Sequence, residues 1–175
     1  AMLTRLVVGP GETVRGSGDD LKSYFYCLQG APGQTRRNAT GRQYRGGDPD
    51  FAAHGVSDPD EMYVFGLDLE GMGDINALDR AQISHEDLLA MFGAALPGEV
   101  LRYRHRLPSG KVWEIIYVDD RQVVAVLPRA LRDVVSPDMR DVQLVRAAEE
   151  AYEWAGLERA PDKGFRYREN FVHLG

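Results

Sequence analysis

Apolar residues recur at intervals of three and four in two stretches of the chain, and each stretch predicts an amphipathic helix. Over "PDMRDVQLVRAAEEAYEWAGL", Val142, Val145, Ala148, Ala151, Tyr152 and Ala155 share a face, and Gly156 ends the run. Over "ALDRAQISHEDLLAMFG", Leu78, Ala81, Ile83, Leu88, Leu89 and Phe92 form the stripe, with Gly93 as the stop. Between these helices the pattern shortens. "KVWEIIYV" and "RQVVAVL" are nearly continuous apolar runs of strand length, joined at Asp119-Asp120. "EVLRYRHRL" and "KVWEIIYV" flank "PSG", which predicts a hairpin with Arg102, Arg104 and Arg106 on one face of its first strand.

The rest of the pattern is less regular. "LTRLVV" reads as a short strand and "GPGETVRGSG" as loop. In "DDLKSYFYCLQ", Leu21, Tyr24, Phe25 and Leu28 fall at helical spacing. Residues 29–60 are rich in Gly, Arg, Asp and Pro and read as a long irregular excursion. "EMYVFGLDL" is a strand, and "FRYRENFVHLG" a final one. This mixed order predicts an α+β fold, a mainly antiparallel sheet with helices on one face.

Composition changes little in this picture. At 175 residues, 43% hydrophobic and 27% charged, the chain has the make-up of a single globular domain with a real core. No apolar run approaches the roughly 20 residues of a membrane span. Cys27 has no second cysteine to pair with, which predicts a reducing, intracellular setting, cytoplasm or nucleus. The net charge of −6 argues against a strongly basic nucleic-acid binder, but the arginines are clustered, with Arg36, Arg37, Arg42 and Arg45 in one run. Each cluster is also what a solvated face would show.

The acidic pair carries the chemistry. Adjacent carboxylates repel, and a plain two-residue turn favours Asn-Gly or Asp-Gly. A turn anchored by two core strands would, however, fix both side chains for an Mg²⁺ ion, which prefers carboxylate and phosphate oxygens. A two-metal phosphoryl-transfer site needs a third carboxylate, and Asp19 and Asp20 are the candidates.

"Tyr117-Val118-Asp119-Asp120" between hydrophobic strands resembles the signature hairpin of reverse transcriptases, motif C. "Asp20-Leu21-Lys22-Ser23-Tyr24-Phe25" resembles motif A, and "Gly71-Met72-Gly73-Asp74" before a helix sits where motif B belongs. "Ala155-Gly156-Leu157" through "Pro161-Asp162-Lys163" resembles motif D, and "Phe171-Val172-His173-Leu174-Gly175" the Leu-Gly hairpin of motif E. The motifs occur in the family's order over nearly the whole chain.

The resemblance implies a polymerase palm with a ferredoxin-like core spanning residues 1–175, with part of the fingers in the excursion over 29–65 and no thumb or N-terminal fingers. It implies template-directed nucleotidyl transfer by two Mg²⁺ ions, with Mn²⁺ as the alternative, bound by Asp20, Asp119, Asp120 and the Leu21 carbonyl. One ion would lower the pKa of a primer 3′-hydroxyl and the other would hold the triphosphate. Lys163 would assist the pyrophosphate leaving group. Phe25 falls on the steric-gate position that selects deoxynucleotides, and Gly73 on the glycine that lets template or nucleotide approach. Arg36, Arg37 and Arg42 are placed to grip nucleic-acid phosphates. The partners implied are an RNA or DNA template with primer, deoxynucleoside triphosphates, and the fingers and thumb of a larger polyprotein of a retroelement. Motif B departs from the pattern: Met72 stands where Gln is usual, and Ala77-Leu78 where Ser-Pro is usual. That departure, with the missing thumb, leaves an alternative: a palm that has lost catalysis and acts as a nucleic-acid-binding or scaffold module.

Overall fold

The computed structural model describes residues 6–30, 33–56, 58–71 and 73–171. In chain order the elements are β1 (Glu12–Asp20), β2 (Ala39–Arg45), α1 (Pro49–Ala52), β3 (Met62–Gly66), α2 (Ala77–Met91), β4 (Val112–Tyr117), β5 (Asp120–Pro128), α3 (Arg140–Ala155) and β6 (Phe165–Arg168). Short 3₁₀ turns occupy Tyr24–Cys27, Gln34–Arg36 and Arg129–Leu131. The chain forms two compact units, Ala1–Tyr24 with Leu78–Gly175, and Phe25–Ala77.

In the first unit the order β-α-β-β-α-β builds a four-stranded antiparallel sheet, β4-β5-β1-β6. The α+β class expected from the pattern is therefore present. β1 and β5 pair from Glu12↔Pro128 to Asp20↔Asp120. Because strand side chains alternate, Thr13, Arg15, Ser17 and Asp19 share a face with Arg121, Val123 and Ala125. Both helices contact this face. Arg15 donates to Asp141 of α3 at 2.7 Å, Arg121 donates to the Leu144 carbonyl of α3 at 2.8 Å, and Gln82 of α2 donates to the Ile116 carbonyl at 3.0 Å. The opposite face carries an apolar cluster of Leu101, Trp113, Ile115 and Val124, joined by Leu6, Val14 and Phe171.

β1 departs from expectation. "GPGETVRGSG" was expected to be loop, yet Glu12–Asp20 is a central strand, while Leu6–Val8 lies in no strand and residues 3–5 fall outside the described ones. The buried side chains of β1 are polar or charged, each with at least one polar or charged partner, so its apolar signal is absent. Its glycines have a packing reason. A Cβ on Gly16 would lie 2.5 Å from the Phe171 ring and one on Gly18 2.5 Å from Phe165. Gly18→Ala should force Phe165 aside and loosen the β1–β6 edge, costing ~1–3 kcal/mol in urea unfolding. An unchanged midpoint would show that the ring yields freely.

Other expectations also change. Residues 101–111 form no strand; Val100 makes only an isolated parallel bridge to Glu114, so Arg102, Arg104 and Arg106 share no strand face. Arg102 pairs with Glu86, and Arg104 takes a positive φ of 62°. Of Leu21 to Leu28 only Tyr24–Cys27 is helical, and as a 3₁₀ turn. α2 matches its predicted span, but its buried face runs along Ala77, Ala81, His85 and Leu89, whereas Leu78 and Ile83 are exposed. The two alanines are small, so the helix buries a polar histidine in the core between them and Leu89. α3 buries Val142, Val145, Ala148, Ala151 and Tyr152 as its periodicity predicts but leaves Ala155, the last of the expected stripe, exposed, and Gly156 ends it at φ 66°.

The second unit holds regular structure where an irregular excursion was expected. β2 pairs antiparallel with β3, and Phe51 of α1 packs with Tyr44, Tyr63 and Phe65. Too few apolar residues alternate in β2 for its sequence to announce a strand, because aromatic contacts on one side replace a continuous core.

Candidate functional site

The hairpin of β4 and β5 closes from Tyr117↔Asp120 through Val118 and Asp119. Val118 is buried, at φ +56°, a conformation that β-branched residues rarely take and that costs on the order of 1–3 kcal/mol. The Val118 N–H donates to Gln82 Oε1 at 2.8 Å, and its carbonyl lies 2.7 Å from His85 Nδ1. β1 meets the turn from the other side: Leu21 N–H donates to the Asp119 carbonyl at 2.9 Å, and Asp20 is the register partner of Asp120. Ala160 N–H donates to the Asp20 carbonyl at 2.8 Å, which brings in the loop before β6, and Lys163 Nζ lies 2.8 Å from Asp20 Oδ2. Asp20, Leu21, Asp119, Asp120 and Lys163 are thus gathered in one place, from segments up to 143 positions apart.

The electrostatics follow from that crowding. Partial burial, then the negative charges of Asp119 and Asp20, then a hydrogen bond shared with Asp20, push the Asp120 carboxyl up to about 6; the Lys163 ammonium opposes the rise. Lys163 itself is held above the ordinary lysine range by its hydrogen bond to Asp20 and by the surrounding carboxylates. Since the folded-state value of Asp120 lies above its ordinary 3.8, the folded chain binds more protons between about pH 4 and 6, and stability falls as pH rises through that window. Discounted for its exposure, the cost above pH 6 is ~1 kcal/mol. Asp120→Asn should therefore raise the melting temperature at pH 7.5 in metal-free buffer by ~2–4 °C and flatten the slope between pH 4 and 6. Parallel pH profiles for the two chains would contradict this origin of the strain.

Asp19, the rival to Asp20, faces the other way. It is buried on the helix-bearing face, where Oδ1 pairs with Arg166 at 2.7 Å and Arg159 at 3.5 Å, and Oδ2 lies 3.8 Å from Arg121. Its charge is committed to holding the fold. Strand alternation alone separates the roles of the two neighbours.

The remaining predicted residues belong to the second unit. Phe25 is half-buried in the 3₁₀ turn Tyr24–Cys27. Gly73 has open space where a Cβ would project, so among the described residues no contact demands glycine there. Asp74 ties this loop down by accepting from Gly71 N–H at 2.9 Å and from Gln34 at 2.6 Å. Met72 and residues 172–175, most of motif E, lie outside the described residues. Arg36, Arg37 and Arg42 are exposed, and Arg42 stacks over the Tyr44 ring at 4.7 Å.

A cleft of about 440 Å³ opens beside the carboxylates, lined by Asp20, Asp120, Asp162, Lys163, Arg168 and Asn170 among others. Among the described residues no three His, Cys, Asp or Glu side chains stand ready-arranged around a metal position. Asp20 is instead shared between Asp120 and Lys163, so an ion would displace the Lys163 ammonium and, below about pH 6, compete with the Asp120 proton. The donor set is nonetheless of the right chemistry: hard carboxylate oxygens crowded together, with one carboxyl pushed up to about 6 by partial burial and by its acidic neighbours.

Sequence reasoning missed Gln82, His85, Tyr152 and Arg121. None stands in a recognisable motif; each acquires its place only through a partner distant in the chain. No protein-family model matches the chain, and no curated protein matches it either. Among the described residues no helix is long and apolar enough to cross a membrane.

Proposed function

We propose that the chain is the palm of an RNA-directed DNA polymerase, similar to reverse transcriptases, and serves template-directed nucleotidyl transfer. The observation that carries the reading is the register Asp20↔Asp120, which sets the motif A carboxylate directly across from the motif C pair. The order β-α-β-β-α-β with strands β4-β5-β1-β6 is the split βαβ, ferredoxin-like arrangement expected of such a palm, and it supports the reading. Asp20, Asp119 and Asp120, with the Leu21 carbonyl, would hold Mg²⁺. When bound, the ions supply positive charge that acidifies a primer hydroxyl and offsets charge developing on phosphate. Asp119 and Asp120 fix the acidic corner rigidly because core strands flank them. Lys163, in contact with Asp20, places a cation at the rim where a pyrophosphate would depart. Phe25 as steric gate, Gly73 at the nucleotide, and Arg36, Arg37 and Arg42 on template or primer phosphates rest on the motif resemblance.

The test is primer extension on an RNA template with Mg²⁺, alongside thermal unfolding with Mg²⁺ and a deoxynucleoside triphosphate, for the parent chain and Asp119→Asn. Extension, or ligand-dependent stabilisation, that the parent shows and the variant loses supports the reading. Equal behaviour of the two chains in both assays removes it and leaves the binding or scaffold module.

A further inference from the structure

Val118 is held from both sides by one helix. Gln82 Oε1 accepts the Val118 N–H at 2.8 Å, and His85, one turn further along α2, meets the Val118 carbonyl through Nδ1 at 2.7 Å. A carbonyl only accepts, so Nδ1 bears the proton; Nε2 is then the acceptor for the Tyr152 hydroxyl of α3 at 2.8 Å. Gln82 also donates to the Ile116 carbonyl at 3.0 Å, so the same side chain grips β4 just before the turn. His85 is 0% and Tyr152 1% exposed, and the rings of Tyr24 and Tyr152 each flank His85 at 5.6 Å. With both ring nitrogens engaged and no exposure, His85 cannot touch a substrate. Its burial keeps the imidazole neutral, with its value lowered to about 4, which preserves one tautomer and therefore one direction of hydrogen bonding.

The turn is where such a grip matters. Val118 precedes Asp119 directly, and a return of its φ to the usual negative range would swing the Asp119 peptide, whose carbonyl accepts the Leu21 N–H. We infer that Gln82, His85 and Tyr152 are positioning residues: they clamp the Val118 peptide in its left-handed conformation and so set the aim of Asp119 and Asp120 toward Asp20. The chemical purpose of that aim rests on the polymerase reading; the clamp rests on the hydrogen bonds. The sequence holds no sign of it, because an i, i+3 Gln and His on a helix is ordinary until the strand turn beneath is known.

The test uses the full chain, isotopically labelled, with His85→Phe, His85→Asn and Gln82→Met. Two readouts are taken: the amide–Hα coupling and Cα shift of Val118, which report the sign of φ, and Mn²⁺ binding followed by water-proton relaxation. The expected result is that His85→Phe and Gln82→Met abolish the left-handed signature of Val118 and weaken Mn²⁺ binding by about tenfold or more, the usual effect of removing an outer support. His85→Asn, whose amide takes the place of the Nδ1 donor, should retain both. Lowered melting temperatures with the Val118 signature and Mn²⁺ affinity unchanged would overturn the clamp, as would a relaxed Val118 with undiminished affinity. Should His85→Phe not fold, Gln82→Met decides, since Gln82 is only half-buried. A parent chain that binds no Mn²⁺, with Val118 relaxing in the variants, would uphold the clamp and sink the polymerase reading instead.

Discussion

Arg121→Met is expected to destabilise the first unit by ~3–5 kcal/mol, a large share of the 5–15 kcal/mol typical of a whole domain. Arg121 is 1% exposed and donates to Glu114 at 2.7 Å and to the Leu144 carbonyl at 2.8 Å, with Asp19 3.8 Å away. Glu114, itself 0% exposed, also accepts the Ala95 N–H at 2.6 Å. Methionine fills much of the arginine's volume, so the loss is electrostatic: a fully buried carboxylate is left without its cation. The guanidinium is held above its ordinary range despite its burial, first by Glu114 and then by Tyr152 and Asp19, as expected of a charge that its neighbours need. Urea unfolding measures the cost, and Arg121→Met with Glu114→Gln should recover part of it by removing the stranded charge. If the double variant is no more stable than the single one, the network is not the source.

The second large effect is on catalysis. Asp119→Asn and Asp20→Asn each remove one carboxylate from a set that the proposed chemistry needs whole, while preserving size and the backbone bond between Leu21 and Asp119. Charge stabilisation by bound metal amounts to several kcal/mol at the transition state, so losing an ion's ligand should lower primer extension by on the order of 10³-fold. Stability should move little or upward, since like charges are being thinned. Lys163→Ala, which removes the contact to Asp20, belongs to the same series but should cost less, because it holds no ion. A chain whose extension persists in Asp119→Asn does not use this site.

The helices α2 and α3 and the β4–β5 hairpin were legible because apolar residues bury themselves with a period that the chain displays. β1 was not, for a physical reason: its core-facing positions are Thr13, Arg15, Ser17 and Asp19, each buried through a specific polar or charged contact. Burial by pairing leaves no periodic signal. The reverse error befell "LRYRHRL", whose alternation of leucine, tyrosine and arginine mimics a strand while the segment makes no ladder. Motif order placed Asp20 near the acidic turn, and the register sets it there. What pattern could not supply was which side chains hold the turn, since His85 in an apolar helix face reads like any other interruption.

Asp19 and Asp20 stand next to one another on β1, and a strand that slides by one residue inverts its two faces. A slide of the whole of β1 by one residue toward the turn would therefore still present a carboxylate to the cleft, Asp19 in place of Asp20. It would at the same time turn Arg15 away from Asp141 and leave Arg121 facing a glycine. The doubled aspartate protects the acidic corner against slippage but not the core behind it. A one-residue slide of this strand toward the turn should accordingly act through misfolding rather than through loss of the acidic group.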